Sequence, residues 1–132
     1  MRRGTEQVRT VADIAHELVA LCREGKYMEA IEKLYGDDIV SVEPVDHGPT
    51  MPARMQGKDA VRAKNIAWAE TSESHGLKVD GPYVGGSQFA VRFHIDATSK
   101  ATGRRAQVTE MALYTIRDGK IVMEEFYYAP VQ

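Results

Sequence analysis

Three acids stand where a plain surface role is not the only reading. Glu110 lies between Thr109 and Met111, in a run with no other acid. A carboxylate in the middle of a strand needs a partner or a pocket, because burying it alone is costly. Either Arg92 or Arg105 pairs with it, or it faces a ligand as a polar anchor or proton donor. Glu43 directly precedes Pro44. It is a strand-end surface residue or a general base, since an acid in an apolar cleft has a raised pKa suited to moving protons. Glu124 is the third. If Glu110 and Glu124 share one face, they cannot both ionise easily in a low dielectric, and one should titrate high. His94 alternates with Phe93 and Ile95; it is a hydrogen-bonded wall residue or, beside a carboxylate, a proton shuttle near neutral pH. Trp68, Tyr114, Phe126 and Tyr128 are core residues or walls of a ligand pocket. His16-Glu17 begins like a zinc-protease helix, but Ala20 stands where the second histidine belongs, so no metal is expected. No cofactor is expected either.

The elements that would hold these residues follow from periodicity. Val11, Ile14, Ala15, Leu18, Val19 and Cys22 recur at helical spacing, with Thr10 and Asp13 as a cap and Gly25 as a stop. Ala30, Ile31 and Leu34 mark a second short helix ended by Gly36. Ile39 to Glu43 reads as a strand, and a loop with Gly48, Pro49, Pro52 and Gly57 follows. Lys58 to Ser74 reads as a third helix, with Val61, Ala67 and Trp68 on its apolar side. Strands follow over Leu77–Val84, Gln88–Thr98, Arg104–Arg117 and Lys120–Ala129. Gly85-Gly86 and Asp118-Gly119 are hairpin signals, and Ala101-Thr102-Gly103 closes the middle hairpin. Helices first and strands after argue for an α+β domain.

Faces in the last hairpin depend on its turn. A type I turn with Gly119 as a left-handed bulge residue pairs Tyr114 with Val122 and Ala112 with Glu124. Glu110, Ala112, Tyr114, Val122, Glu124, Phe126 and Tyr128 then share one face. Met111, Leu113, Ile121, Met123, Glu125 and Tyr127 share the other. A two-residue turn would instead bring Glu125 and Tyr127 beside Glu110.

The chain of 132 residues fits one domain, residues 1–132, able to bury a core unaided. Hydrophobic residues make up 43%, a globular composition. A net charge of -2, from 17 basic and 19 acidic side chains, gives no basic patch for nucleic acid. Arg2-Arg3 reads as a solvated terminus and Arg104-Arg105 as a hairpin tip. The single cysteine, Cys22, excludes an intrachain disulfide. No apolar run is long enough to span a bilayer, and Met1 to Ala12 lacks the apolar core of a secretory signal. A cytoplasmic protein with no membrane partner is the expectation.

The order helix, helix, strand, helix, then four long strands resembles the nuclear transport factor 2-like superfamily. Leu34-Tyr35-Gly36-Asp37-Asp38 ahead of a strand ending Val42-Glu43-Pro44-Val45 resembles ketosteroid isomerase. Gly103-Arg104, Leu113-Tyr114-Thr115-Ile116 and Gly119-Lys120-Ile121-Val122, with an aromatic strand end, are similar to SnoaL-type cyclases and limonene epoxide hydrolase. The resemblance runs from about Val11 to Pro130. It implies three helices packed on a strongly curved, mostly antiparallel mixed sheet, a cone-shaped barrel with a pocket. It places Glu43 at the isomerase's general base and Glu110 near its second acid. Leu18 falls at the position of its helix tyrosine, where it cannot donate. Arg92 and His94 fall on the hydrolase's arginine and aspartate pair, and Phe126 on its last-strand aspartate.

Together these readings make Glu43, Glu110 and His94 the candidate catalytic residues. Trp68, Arg92, Tyr114, Glu124, Phe126 and Tyr128 are the candidate substrate contacts. The expected ligand is a small hydrophobic carbonyl compound, and the expected chemistry is proton transfer beside that carbonyl, as in an isomerase or cyclase. The alternative is a non-catalytic binding or dimerisation module. A homodimer through the outer sheet face is expected, burying Met111, Leu113, Ile121, Met123 and Tyr127, with Val91, Phe93 and Ile95 if the next strand keeps step.

Overall fold

The computed structural model describes residues 9–129; Arg2-Arg3 lies outside them. The first helix, α1 (Val11–Arg23), starts where Thr10 and Asp13 form a reciprocal cap. The Thr10 hydroxyl accepts from the Asp13 N–H at 3.0 Å, and the Asp13 carboxylate accepts from the Thr10 N–H at 3.1 Å. Such a cap contributes about 1 kcal/mol. Ile14, Ala15, Leu18, Val19, Leu21 and Cys22 form its buried face. The second helix, α2 (Tyr27–Leu34), buries Ala30, Ile31 and Leu34 and passes without a break into β1 (Tyr35–Val42).

A short strand, β2 (Arg54–Gln56), lies inside the stretch read as a loop. It pairs antiparallel with β1, Ser41 opposite Met55. Three residues carry no alternation, so its sequence gives no strand signal. Helix α3 (Lys58–Thr71) follows and stops three residues earlier than the periodicity suggests. The chain is already extended from Ser72, because β3 (Ser72–Gly85) pairs along its length with β4 (Gln88–Ser99). Strands β5 (Arg105–Arg117) and β6 (Lys120–Tyr127) complete the sheet.

The strand order is β2-β1-β6-β5-β4-β3. The β1–β6 pairing is parallel and the others are antiparallel. The sheet is mixed, as expected, but open: β2 and β3 are free edges, so it does not close into a barrel. The first two helices pack with the inward side chains of the sheet into one core that includes Leu18, Ile39, Val79, Phe89, Val91 and Ile121.

The last hairpin departs from the expected register. Asp118 (φ 52°) and Gly119 (φ 74°) are both left-handed, which makes a two-residue turn closed by Arg117 and Lys120. That turn puts Ile121 inward, opposite Ile116, and Ile121 is fully buried. Val122 is then an extra residue, since Thr115 pairs with Met123. This bulge turns the strand over again. Glu124 therefore faces inward opposite Tyr114, and Phe126 opposite Ala112. Ile121 and Val122 exchange the faces expected for them, while Glu110, Ala112, Tyr114, Glu124 and Phe126 keep theirs.

On β4 the outward expectation for Val91, Phe93 and Ile95 is reversed. Val91 pairs with Ala112 and Phe93 with Glu110, so they share the inward face, and both are buried in the core. Ile95 packs against the same core. Arg92 and His94 are consequently on the convex side.

Candidate active site

Period-two alternation on three neighbouring strands builds the site. On β1, Ser41 lies on the inward row with Ile39, and Glu43 follows just past the strand end. Strand β6 brings Glu124 and Phe126, with Tyr128 just beyond it. Strand β5 brings Glu110, Ala112 and Tyr114. Helix α3 adds Lys64, one turn after the buried Val61.

Glu124 is the innermost acid, only 2% exposed. Tyr35 donates to its Oε1, and Ser41 donates to its Oε2 at 2.8 Å. Lys64 Nζ lies 3.9 Å from Glu124 Oε2. It donates to Ser41 Oγ at 2.6 Å and to Glu43 Oε2 at 2.7 Å. Tyr128 donates to the other Glu43 oxygen at 2.5 Å, and its hydroxyl is 2.6 Å from His47 Nε2. One hydrogen-bonded string therefore runs from the core to the exposed loop after β1. Phe126 lies beneath the ammonium, its ring centre 4.8 Å from Nζ, an arrangement favoured by the ring's negative face.

Two carboxyls, Glu43 and Glu124, thus flank one half-buried cation, whose charge also reaches Glu110. Burial pushes Glu124 above the usual carboxylate range, against the pull of Lys64, Tyr35 and Ser41. Glu110 is pushed up to about 7, first by burial and then by the negative charge of Glu43, with Lys64 opposing. Burial, then the Glu124 carboxylate, also raises the phenols of Tyr35 and Tyr114. The Cys22 thiol is pushed up to about 12 by the same two causes. Tyr128 is raised as well, by burial and then by its bond to Glu43.

Glu110 differs from its two neighbours. Arg92 pairs with Asp80 and Arg105 with Asp96, so neither arginine caps it. Among the described residues it has no hydrogen-bond partner, and no sealed side-chain oxygen or nitrogen lacks one. The Glu110 carboxyl therefore remains open to solvent-accessible space. Two facing pairs separate it from Glu124, rather than the one expected, because of the shifted register.

Glu43, Glu110, Glu124, Phe126, Tyr114 and Tyr128 are brought together. Arg92, His94 and Trp68 are not. His94 Nε2 is 2.9 Å from Asp80, and Nδ1 is 3.3 Å from the Thr109 hydroxyl, all on the convex face. Its bond holds Asp80 below the usual carboxylate range, with Arg92 adding to the effect. Trp68 is 44% exposed on α3 and absent from the core. Sequence reasoning missed Lys64, Ser41, Tyr35 and His47. Two signals were present: Lys64 follows Val61 by three residues on the helix's apolar side, and Ser41 lies on the same alternating row as Ile39 and Glu43.

An open, curved, mixed sheet with helices on one side and acids on its inward face defines the nuclear transport factor 2-like class. Within that class the chain belongs to the SnoaL-like domain family, whose model matches residues 9–128. It is similar to a crystallised protein from Mesorhizobium loti, provisionally described as a SnoaL-like polyketide cyclase, with carbohydrate phosphatase in brackets. The two share 45% identity over 91% of this chain and 100% of that one, with a TM-score of 0.85. A provisionally described isomerase from Bacillus subtilis is 20% identical over 92% of this chain and 91% of the other, TM-score 0.74. A nuclear transport factor 2-like protein of unknown function from Burkholderia pseudomallei is 16% identical over 90% of each chain, TM-score 0.74. The latter two support the fold alone. No curated protein matches the chain. Among the described residues no helix is long and apolar enough to cross a membrane.

Proposed function

We propose that the protein is an isomerase- or cyclase-type enzyme that moves a proton next to a carbonyl of a small, largely apolar molecule. The observation that carries this reading is Glu110: unpaired, inward-facing, and poised at about 7 beside a charged Glu43–Lys64 pair. A general acid or base works best with a pKa near the working pH. Glu110 would take the proton from the carbon beside the carbonyl and return it elsewhere. Glu43 is tied down on both oxygens by Lys64 and Tyr128, so its part is to hold the ammonium and to raise Glu110. Lys64 would steady the negative charge that develops on the substrate oxygen, which in a dry site is worth more than in water. The similarity to a protein described as a polyketide cyclase agrees with this chemistry.

The test is deuterium uptake from heavy water at the carbons beside the carbonyl in a panel of cyclic ketones, followed by proton NMR. Accelerated exchange of at least one ketone, lost in Glu110→Gln, supports the reading. No acceleration across the panel refutes it.

We further read the protein as a cytoplasmic homodimer. Met111 and Tyr127 stand exposed on the convex face, with Leu113 and Met123 partly so. A second copy laid on that face would cover them, and two-fold pairing is the commonest solution.

A further inference from the structure

Tyr128 has one hydroxyl proton and two short polar neighbours. Its oxygen lies 2.5 Å from Glu43 Oε1 and 2.6 Å from His47 Nε2. Glu43 accepts from Lys64 Nζ on its other oxygen at 2.7 Å, and a carboxylate paired with an ammonium has no proton to give. The phenol proton therefore belongs to Glu43, and the contact with the imidazole needs a proton on His47 Nε2. The same arrangement stands deeper in the string. Lys64 donates to Ser41 Oγ at 2.6 Å, and Ser41 donates to Glu124 at 2.8 Å. Each hydroxyl joins one donor to one carboxylate. His47 is also held in place. Its N–H donates to the Met51 carbonyl at 2.8 Å, and the Asp46 carboxylate accepts from the Ala53 N–H at 2.6 Å. The Ala53 carbonyl accepts from the Glu43 N–H at 2.7 Å, so the loop that carries His47 closes on Glu43 itself. The His47 and Tyr128 rings are 26° from parallel, with centres 6.2 Å apart. The His47 side chain is 47% exposed and that of Glu43 13%, so the chain has one end in solvent and the other in the site.

We propose that His47 is a positioning residue of the site: its Nε2–H donates to Tyr128, turns the phenol proton onto Glu43, and through Glu43 fixes the Lys64 ammonium. Hydrogen bonds in such a chain polarise one another, so the outermost donor strengthens the contacts inside it. Without that donor the phenol oxygen takes its hydrogen bond from water and is free to turn. Glu43 then loses one of the two bonds that aim it, and Lys64 loses a fixed partner. His47 itself touches no reacting atom. Its effect on rate rests on the reading of Lys64 as the group that steadies the substrate oxygen; the order of protons in the chain needs no reaction at all.

Two substitutions separate the donor from the ring. His47→Phe keeps a ring against Tyr128 and removes the N–H. His47→Gln removes the ring and keeps an amide N–H at the same reach. In the ketone exchange assay His47→Phe should slow deuterium uptake about tenfold, the yield of one hydrogen bond in a charged chain, with half-saturation near native. His47→Gln should restore most of the rate. Tyr128→Phe should slow uptake as well, and adding His47→Phe to it should change little further. Proton and nitrogen-15 NMR of the free protein give a reading that needs no substrate. At about pH 8, where an ordinary histidine is neutral, a ring N–H resonance of His47 should be visible on Nε2, because its bond slows exchange with water. It should vanish in Tyr128→Phe. No such resonance in the native protein, a ring proton on Nδ1 alone, a full rate in folded His47→Phe, or an equal loss in the two His47 variants would overturn the proposal. If the native protein exchanges no ketone, the proposed reaction fails, and the N–H resonance alone decides the place of His47.

Discussion

Replacing Glu110 with glutamine should stabilise the protein in alkali and change little in acid. In the unfolded chain Glu110 titrates near its ordinary 4.5, and in the folded chain at about 7. Below the lower value both states hold the proton, and the group contributes no pH dependence. Between the two, the folded state keeps a proton that the unfolded state releases, so stability falls as pH rises. Above the upper value both are ionised and the whole cost of a buried carboxylate stands. The gap between 4.5 and about 7 corresponds to roughly 3 kcal/mol. Glutamine keeps the shape and never ionises. Urea unfolding followed by circular dichroism should therefore show Glu110→Gln more stable than the native protein by 1 to roughly 3 kcal/mol at about pH 8.5, and equal within error at about pH 4. The lower figure allows for water entering around the charge. The same difference at both pH values, or a loss of stability at the higher one, would refute a carboxyl that is largely desolvated and unpaired.

Removing the charge of Glu43 with Glu43→Gln should lower the Glu110 pKa yet leave it above its ordinary 4.5, since burial is the larger cause; carboxyl NMR reads this directly. Ser41→Ala takes a donor from Glu124 and an acceptor from Lys64, and should cost about 1–3 kcal/mol in urea unfolding. Leu113→Arg on the convex face should convert a homodimer to a monomer by light scattering at micromolar concentration; a native protein that is already a monomer would remove the convex interface.

Much of the fold was legible because single residues spoke plainly. Thr10 with Asp13 marked the start of α1, its apolar stripe marked the buried face, and long alternating runs marked β4 and β5. The last hairpin was harder. Ile121-Val122-Met123 are apolar in succession, so alternation there cannot say which residue is the extra one. A left-handed Asp118 made the turn, and Val122 then undid its effect on the faces. The turn and the bulge offset each other, so Glu110 and Glu124 share a face. On β4, by contrast, the apolar residues at 91, 93 and 95 face inward, against the sequence expectation, because β4 and β5 pair Val91 with Ala112 and Phe93 with Glu110. The polar residues at 92 and 94 follow on the opposite face, where both meet Asp80 of β3. Lys64 stayed hidden because a lysine on a helix normally reads as solvated. Only the tertiary approach of β1 and β6 gives it two carboxylates.

One carboxyl in this site, that of Glu110, changes charge near neutrality. A carbon-13 NMR titration of protein labelled at the glutamate carboxyls tests it without knowledge of any substrate. One resonance should titrate with a midpoint at about 7 and be missing from Glu110→Gln. If every glutamate carboxyl of the native protein titrates in the ordinary range near 4.5, Glu110 is solvated and cannot be the group that moves the proton.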